Sequence, residues 1–428
     1  MSLAQPAQPA AEARTPHDGS PDLRRNRDFL LVFVGQSVSW IGDAVSFTAL
    51  PILVLFLTGS GAAMGIVGAL QTVPDLLLGV AAGAYVDRWD RRRTMLVADF
   101  GRAALTALIP VVHAVGGPTL IVLLLVIGPI SVLRIFFTAA YLSAVPSLVG
   151  KRRLPAATAA FEATWSFGFV VGPAIAGALA AAVTPAFALA IDAASFLVSA
   201  LTIVAVTRPL STGHRAAEPR RLVTEIRNGI SFVVRHPVLR LAVGLWSLYQ
   251  VLASPWAVVL LYYMTVDRGL GPDAYGLVIA AYGVGSLAGS PLSGRLAGRY
   301  AGRILIGGIA LTGVVAGLSA TQASLAVLSA LLFIGGLGEV LASVAATLLR
   351  ADLTPDHMLG RVTSLSRTIG VGGQSLGYLL AGVLLERLGG TVTLVIWGLL
   401  LLAIGAVFAL SPSLRVARTT QSSPAAAP

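Results

Sequence analysis

The chain is predicted to be an all-α membrane protein, with twelve transmembrane helices in two pseudo-symmetric six-helix bundles. Three observations predict this: an apolar composition, a one-sided distribution of basic residues, and a repeat between the halves.

The 428 residues have a mean hydropathy of +0.84, and only 11% are charged. A soluble fold of this length needs far more polar surface. The apolar segments run to about 20 residues each, enough to cross about 30 Å of hydrocarbon.

The second observation is where the cations sit. Of 30 Lys and Arg, 26 fall in the termini and in alternate loops. They are four before the first segment, Arg88 to Arg93, Lys151 to Arg153, seven between Arg208 and Arg240, then Arg295, Arg299, Arg303, Arg350, Arg361, Arg367, Arg415 and Arg418. The other loops hold Arg268 and Arg387, while Arg102 and Arg134 lie inside segments. This bias predicts cytoplasmic termini in a multi-pass protein of a bacterial inner membrane. Lys151 is the single Lys, and Ala and Gly abound, which fits a GC-rich bacterial genome.

Third, the halves repeat. Gly168, Gly172 and Gly177 in GFVVGPAIAG recur as Gly373, Gly377 and Gly382 in GQSLGYLLAG, at an offset of 205 residues. Gly83 and Gly294 end segments 2 and 8 at an offset of 211. A duplicated six-helix unit places a transport site between the halves near the midplane.

In order, residues 1–27 read as a polar, disordered cytoplasmic N-terminus without the pattern of a cleaved signal. The N-terminal bundle covers 28–207, with segments near 28–58, 62–86, 94–114, 119–143, 157–183 and 186–207. The stretch 208–237 is a cytoplasmic linker. In it Leu222, Ile226, Ile230 and Val233 recur at helical spacing, predicting an amphipathic helix on the membrane face. The C-terminal bundle covers 238–411, with segments near 238–264, 272–297, 303–320, 323–349, 361–387 and 391–411. A tail, 412–428, reads as disordered.

Several function classes drop out. The net charge of +11 is explained by basic loops beside anionic lipid, so nucleic acid is not expected as a partner. The chain has no cysteine, which removes disulfides and thiol chemistry. No P-loop, HExxH or triad pattern occurs where it could work, so neither an enzyme nor a metal or cofactor site is expected.

The stretch GAYVDRWDRRR resembles the motif between helices 2 and 3 of the major facilitator superfamily. Gly83, Asp87, Arg88, Arg91 and Arg92 match it, and Asp90 replaces its second Gly. Segment 5 resembles the antiporter motif of drug exporters through Gly172, Pro173 and Gly177, with Ala176 in place of a paired glycine. SWIGDAVSFTALP (39–51), VADFGRA (97–103), VPSLVGKRRL (145–154) and IDAASFLVSA (191–200) are similar to the macrolide-efflux and enterobactin-exporter branch. The resemblance spans about 28–412. It implies export of a small hydrophobic or amphipathic compound (an antibiotic, natural product or siderophore) coupled to protons, with a small-molecule substrate, protons and the bilayer as partners.

Buried ionisable groups then become candidates, since one at the bilayer centre costs roughly 2.5–3.5 kcal/mol on insertion scales. The resembled fold lines its cavity with helices 1, 4, 7 and 10, which selects Asp43, Arg134 and Glu339. Low dielectric favours the neutral form of a carboxyl group, so such an acid can load and release a proton. Asp43 is the favoured proton carrier, with Arg134 as its expected partner; a fixed Asp43–Arg134 pair is the plainer alternative. Asp75 and Asp192 read as packing acids, and Asp99 and Arg102 as a structural pair on one helix face. Asp87 is expected to face the N-terminus of helix 11 as an inner gate. Trp40, Trp165, Phe167, Phe169, Trp246, Tyr249 and Trp256 offer aromatic surface. The expectation is a monomeric twelve-helix proton antiporter; nutrient uptake and lysophospholipid transport stay open as rivals.

Overall fold

The computed structural model describes residues 23–86, 88–150, 152–210, 222–322 and 324–417. Six long helices form the first half: α1 (Arg27–Thr58), α2 (Gly61–Val86), α3 (Arg91–Ala114), α4 (Thr119–Val149), α5 (Leu154–Ala182) and α6 (Pro185–Ala205). A short helix, α7 (Leu222–Arg235), leads into the second half. There α8 (Pro237–Ala253), α9 (Trp256–Tyr262) and a π-turn (Tyr263–Asp267) make one broken span. They are followed by α10 (Pro272–Ser319), α11 (Leu325–Leu353), α12 (Asp356–Ala409) and α13 (Pro412–Arg415).

Among the described residues, eleven helical stretches are long and apolar enough to cross a membrane. The longest, Met358–Ala409, has 52 residues and folds back at Gly389, so twelve crossings result. Gly389 has φ 74° and ψ 175°, a conformation open to glycine and hostile to a Cβ. Tyr300 breaks α10 at a negative φ of −135° (ψ 34°), which needs no glycine. Both bends fall where the sequence separates segments 8 from 9 and 11 from 12. The lateral surface is apolar: Leu125 is 70% exposed and Leu201 63%, which suits lipid and not water.

Local chemistry sets the helix ends. The Asn26 side chain accepts from Phe29 N at 3.2 Å and donates to the Leu148 carbonyl at 2.9 Å, starting α1 and tying it to α4. Asp90 caps α3 by accepting from Arg93 N at 2.8 Å, which gives the aspartate at the motif's second glycine position a structural role. Pro255 brings no N–H to the broken span. In that turn the Leu252 carbonyl accepts from Trp397 Nε1.

The helix expected in the linker is present; Val233 near its end is buried with Leu239, Val243 and Val362, while Ile230 on the same stripe is 44% exposed. Two bounds need correction. Residues 412–417 are folded: Leu414 is fully buried, and Gly302 N donates to the Ala417 carbonyl at 3.2 Å. Residues 23–27 are folded too, since Leu23–Arg25 form a 3-10 turn beside buried Asn26.

The way the halves meet decides where the site lies. The loops that carry most cations share one end of the molecule, called here the basic end. Near the other end a single hydrophobic cluster joins both halves, bringing Leu53, Val54 and Met64 together with Leu261, Tyr263, Tyr275 and Leu385. Towards the basic end the cores are separate. One holds Phe29, Phe137, Ala144 and Phe161, the other Ala242, Leu305, Ala345 and Leu349. The halves are therefore joined at the far end and parted at the basic end.

Two glycine contacts make that junction. α5 packs on α10 and α2 packs on α12. A Cβ on Gly177 would lie 2.6 Å from the Pro272 carbonyl and 3.0 Å from Gly276 Cα; one on Gly382 would lie 3.0 Å from Gly65 Cα. Residues 177 and 382 differ by the first repeat offset of 205, and 65 and 276 by the second, 211. The two contacts are images of each other across the pseudo-two-fold axis, and small residues let backbones approach this closely.

Candidate substrate cavity

Between the parted halves lies a cavity of about 640 Å³. Its size suits a small organic molecule. α1 supplies Gln36, Trp40, Asp43 and Phe47; α2 supplies Gln71, Thr72 and Asp75; α4 supplies Arg134. α5 adds Glu162, Trp165 and Phe169, while α12 adds Arg367, Gln374 and Tyr378 from the other half. The three glutamines make the lining more polar than segment hydropathy suggests.

The aromatic wall is continuous. Ring centroids lie 6.0 Å apart for Trp40–Trp165, 4.7 Å for Trp165–Phe169, 6.0 Å for Phe47–Phe169 and 5.6 Å for Trp40–Phe161. Of the aromatics expected, Trp40, Trp165 and Phe169 reach the cavity. Phe167 points elsewhere and is 53% exposed, and Tyr249 is buried in the core of the second half, its ring tilted against Trp246. Trp256 packs on Tyr282 with ring centroids 5.1 Å apart.

The charges pair differently from expectation. Arg134 binds Asp75, not Asp43, bridging α4 to α2 at the cavity wall. The cation beside Asp43 is Arg102 on α3, whose Nη1 lies 4.0 Å from Asp43 Oδ1. Arg102 also binds Asp99 one helical turn away, as the spacing predicts. Its guanidinium sits 4.1 Å from the Phe196 ring centroid and 4.6 Å from that of Phe137. That stacking suits a planar cation buried among aromatics. Asp192, four per cent exposed, lines the same pocket, with Oδ1 3.3 Å from Ser195 Oγ. Two acids read as packing groups, Asp75 and Asp192, thus face the cavity.

Glu339 is not brought there. The Tyr282 hydroxyl hydrogen-bonds to it inside the second half. The cause is a glycine-rich turn of α11: a Cβ on Gly336 would lie 2.1 Å from the Tyr282 carbonyl, so α11 is pressed onto α10 and turns Glu339 towards it. Among the described residues α8 and α11, the seventh and tenth crossings, contribute nothing to the lining. The expected set of helices 1, 4, 7 and 10 is corrected to a wall led by α1, α2, α4, α5 and α12.

The motif at the basic end is only partly visible. Asp87 lies outside the described residues. Gly83 is inside α2, and Arg88 begins the turn that follows. Arg91 Nη1 donates to the Ser143 carbonyl at 2.9 Å and the Leu210 carbonyl at 3.3 Å. Arg92 donates to the Val204 carbonyl. These two cations tie the start of α3 to α4 at Ser143, to the chain after α6 at Leu210, and to the last turn of α6 at Val204, whose carbonyl is among those a helix end leaves free.

The repeated glycines act in register. Gly168 and Gly172 meet α1 at Trp40 and Ala44; Gly373 and Gly377 meet Val251 on α8. Gly177 and Gly382 make the junction described above, and Pro173 is buried within α5, its carbonyl 2.5 Å from a Cβ placed on Gly276.

A family model described as transmembrane secretion effector matches residues 22–427. The chain belongs to that family. It is 30% identical over 401 residues to the multidrug efflux pump Tap of Mycobacterium tuberculosis strain ATCC 25618 / H37Rv, covering 91% of this chain and 94% of that protein. It is 26% identical over 387 residues to macrolide efflux protein A of Streptococcus pyogenes, covering 89% and 94%. Among solved structures, a bacterial homologue of the iron transporter ferroportin in an inward-facing state superposes with a TM-score of 0.69 at 17% identity, covering 91% of this chain and all of that one. The nucleoside transporter NupG gives 0.73 at 12% identity, covering 90% and 98%. At such identities these two show the fold alone. The protein is a multi-pass, efflux-type transporter of the major facilitator superfamily, and this family's members are transporters and not enzymes.

Proposed function

We propose that the protein exports a small hydrophobic or amphipathic compound across the bacterial cytoplasmic membrane in exchange for protons. The observation that carries this is the cavity wall itself: a continuous aromatic surface of edge-to-face and tilted rings beside Asp43, which faces both the cargo space and the buried Arg102–Asp99 pair. Aromatic faces suit an apolar cargo. A carboxylate held near a guanidinium it does not fully engage can lose its proton to the cation's field and regain it when cargo arrives. Arg102, not Arg134, is the partner in this scheme. Residues 28–207 and 238–411 are the two moving bodies, with 208–237 as their cytoplasmic link and both termini in the cytoplasm. The working unit is one chain. The basic end then faces the cytoplasm, so the cavity is positioned to load cargo from inside the cell.

The test has two stages. Expression in a pump-deficient bacterial host should raise the inhibitory concentration of some members of a panel of amphipathic antibiotics. Purified protein in liposomes should then concentrate that compound when a pH gradient is imposed. Uphill transport that persists without any pH gradient removes proton coupling. A panel with no change in any member removes the export of such compounds.

A further inference from the structure

The 205-residue offset that carries Gly168, Gly172 and Gly177 onto Gly373, Gly377 and Gly382 also carries Glu162 onto Arg367. These two residues occupy equivalent places in α5 and α12, each one helical stretch closer to the basic end than the glycines. Both line the central cavity, from opposite halves. Both are exposed. Among the described residues neither has an ion-pair or hydrogen-bond partner, in contrast to Arg134, which holds Asp75, and Arg102, which holds Asp99. At this depth the two hydrophobic cores are separate, so among the described residues no shared core joins the walls.

We propose that Glu162 and Arg367 are gate residues that pair with each other and seal the basic end when the halves close there. The symmetry supplies the reason. Residues related by the pseudo-two-fold stand at one height and one distance from the axis. A rocking motion that shuts the basic end carries both towards that axis, and so towards each other. Had the repeat kept one residue type, like charges would meet and oppose closure. The halves instead carry opposite signs at this position, and closure strips water from the pair and strengthens it. Neighbouring groups in the lining are Thr158, Phe161 and Trp165 from α5, Tyr141 from α4, and Val371 and Gln374 from α12; of the other cations in the cavity, Arg134 holds Asp75, and Arg102 holds Asp99 beside Asp43. The far end has its own polar contact between halves in the present state, where the Glu386 carboxylate accepts from Ser60 Oγ at 2.8 Å. Glu162 and Arg367 are the counterpart that forms when that contact breaks. This inference needs alternation between two closed ends, and it does not depend on proton coupling or on the cargo.

The chain has no cysteine, so a single reporter can be read cleanly. Ile130→Cys places a thiol in the cavity wall on α4, and a membrane-impermeant maleimide is confined to the far-end face. The thiol is reached from there only when the far end opens and the basic end shuts. In the reporter background, Glu162→Arg and Arg367→Glu should each slow labelling about tenfold, since like charges then face each other. The combined Glu162→Arg/Arg367→Glu exchange should restore the rate to within about twofold, because the pair is re-formed with its signs reversed. Single changes that leave the rate untouched overturn the proposal. So does an exchange variant as slow as the singles. If Glu162 instead binds a cationic cargo, Arg367→Glu will not alter labelling, which also overturns it. Should the single variants fail to reach the membrane, Glu162→Cys/Arg367→Cys offers a second reading. A short bis-maleimide should then bridge the two in membranes, and no bridge under any condition refutes the contact.

Discussion

The Glu386 carboxylate accepts a hydrogen bond from the Ala62 backbone N–H at 3.2 Å, across 324 residues of sequence. An acid from the end of one half thus caps the first turn of α2 in the other, where free N–H groups and the helix dipole favour negative charge. With the bond from Ser60 Oγ it fastens the far end of the molecule.

Glu386→Gln should loosen that closure. The site is open to water, so the loss is at the low end of a helix-cap effect, about 0.5–1 kcal/mol. The far end should open a few times more often. The measurement is labelling of an Ile130→Cys reporter from the far-end face; an unchanged rate removes Glu386 from the fastening.

Gly276→Val and Gly65→Val should each weaken the junction between halves. A Cβ on Gly276 would lie 2.5 Å from the Pro173 carbonyl, and one on Gly65 2.5 Å from the Tyr378 carbonyl. Overpacking of this kind costs about 1–3 kcal/mol. The two variants should show similar losses of thermal stability in detergent. Gly244→Ala, with nothing within 4 Å of its Cβ, serves as the control and should melt like the parent.

Asp43→Asn should fold normally and lose uphill efflux, since the Arg102–Asp99 pair survives it. Arg102→Gln should do more damage. It leaves Asp99, fully buried, without its cation, and breaking a buried pair typically costs about 3–5 kcal/mol. Melting curves separate the variants before transport is measured. If Asp43→Asn still concentrates cargo on a pH gradient, the coupling acid lies elsewhere and Asp192 is next.

Arg134→Ala should orphan Asp75 and spare Asp43. Arg134 is 41% exposed, so the penalty should be about 1 kcal/mol or less. Adding Asp75→Asn should recover that loss, whereas adding Asp43→Asn should not. A double-mutant cycle on melting temperature decides between these partners.

The orientation is testable in intact cells. Arg215→Cys lies in the basic linker and should stay unlabelled by an impermeant maleimide until the membrane is permeabilised. Labelling in intact cells inverts the proposed topology.

Much of the fold was legible because it follows from local chemistry. Apolar length gives the crossings, and basic loops alternate with them along the chain. The bend at Gly389 falls at a glycine between two apolar runs, and the Asp99–Arg102 pair needs one turn of helix. Even the glycine junction was half visible, since the offsets 205 and 211 reappear in space as Gly177–Gly276 and Gly382–Gly65.

What the sequence by itself determined, then, was a twelve-crossing duplicated bundle, an efflux-type family and a short set of buried charges. Tertiary structure alone decided which charges meet. Arg134 chose Asp75 because α4 lies against α2, and Arg102 approaches Asp43 because its long side chain spans from α3 to α1 between two aromatic rings. Glu339 left the cavity because backbone contact at Gly336 rotates α11 against α10. Such choices depend on the rotation and crossing of each helix about its own axis. Hydropathy averages over that rotation, so depth in the membrane can be read from sequence, and the facing partner cannot.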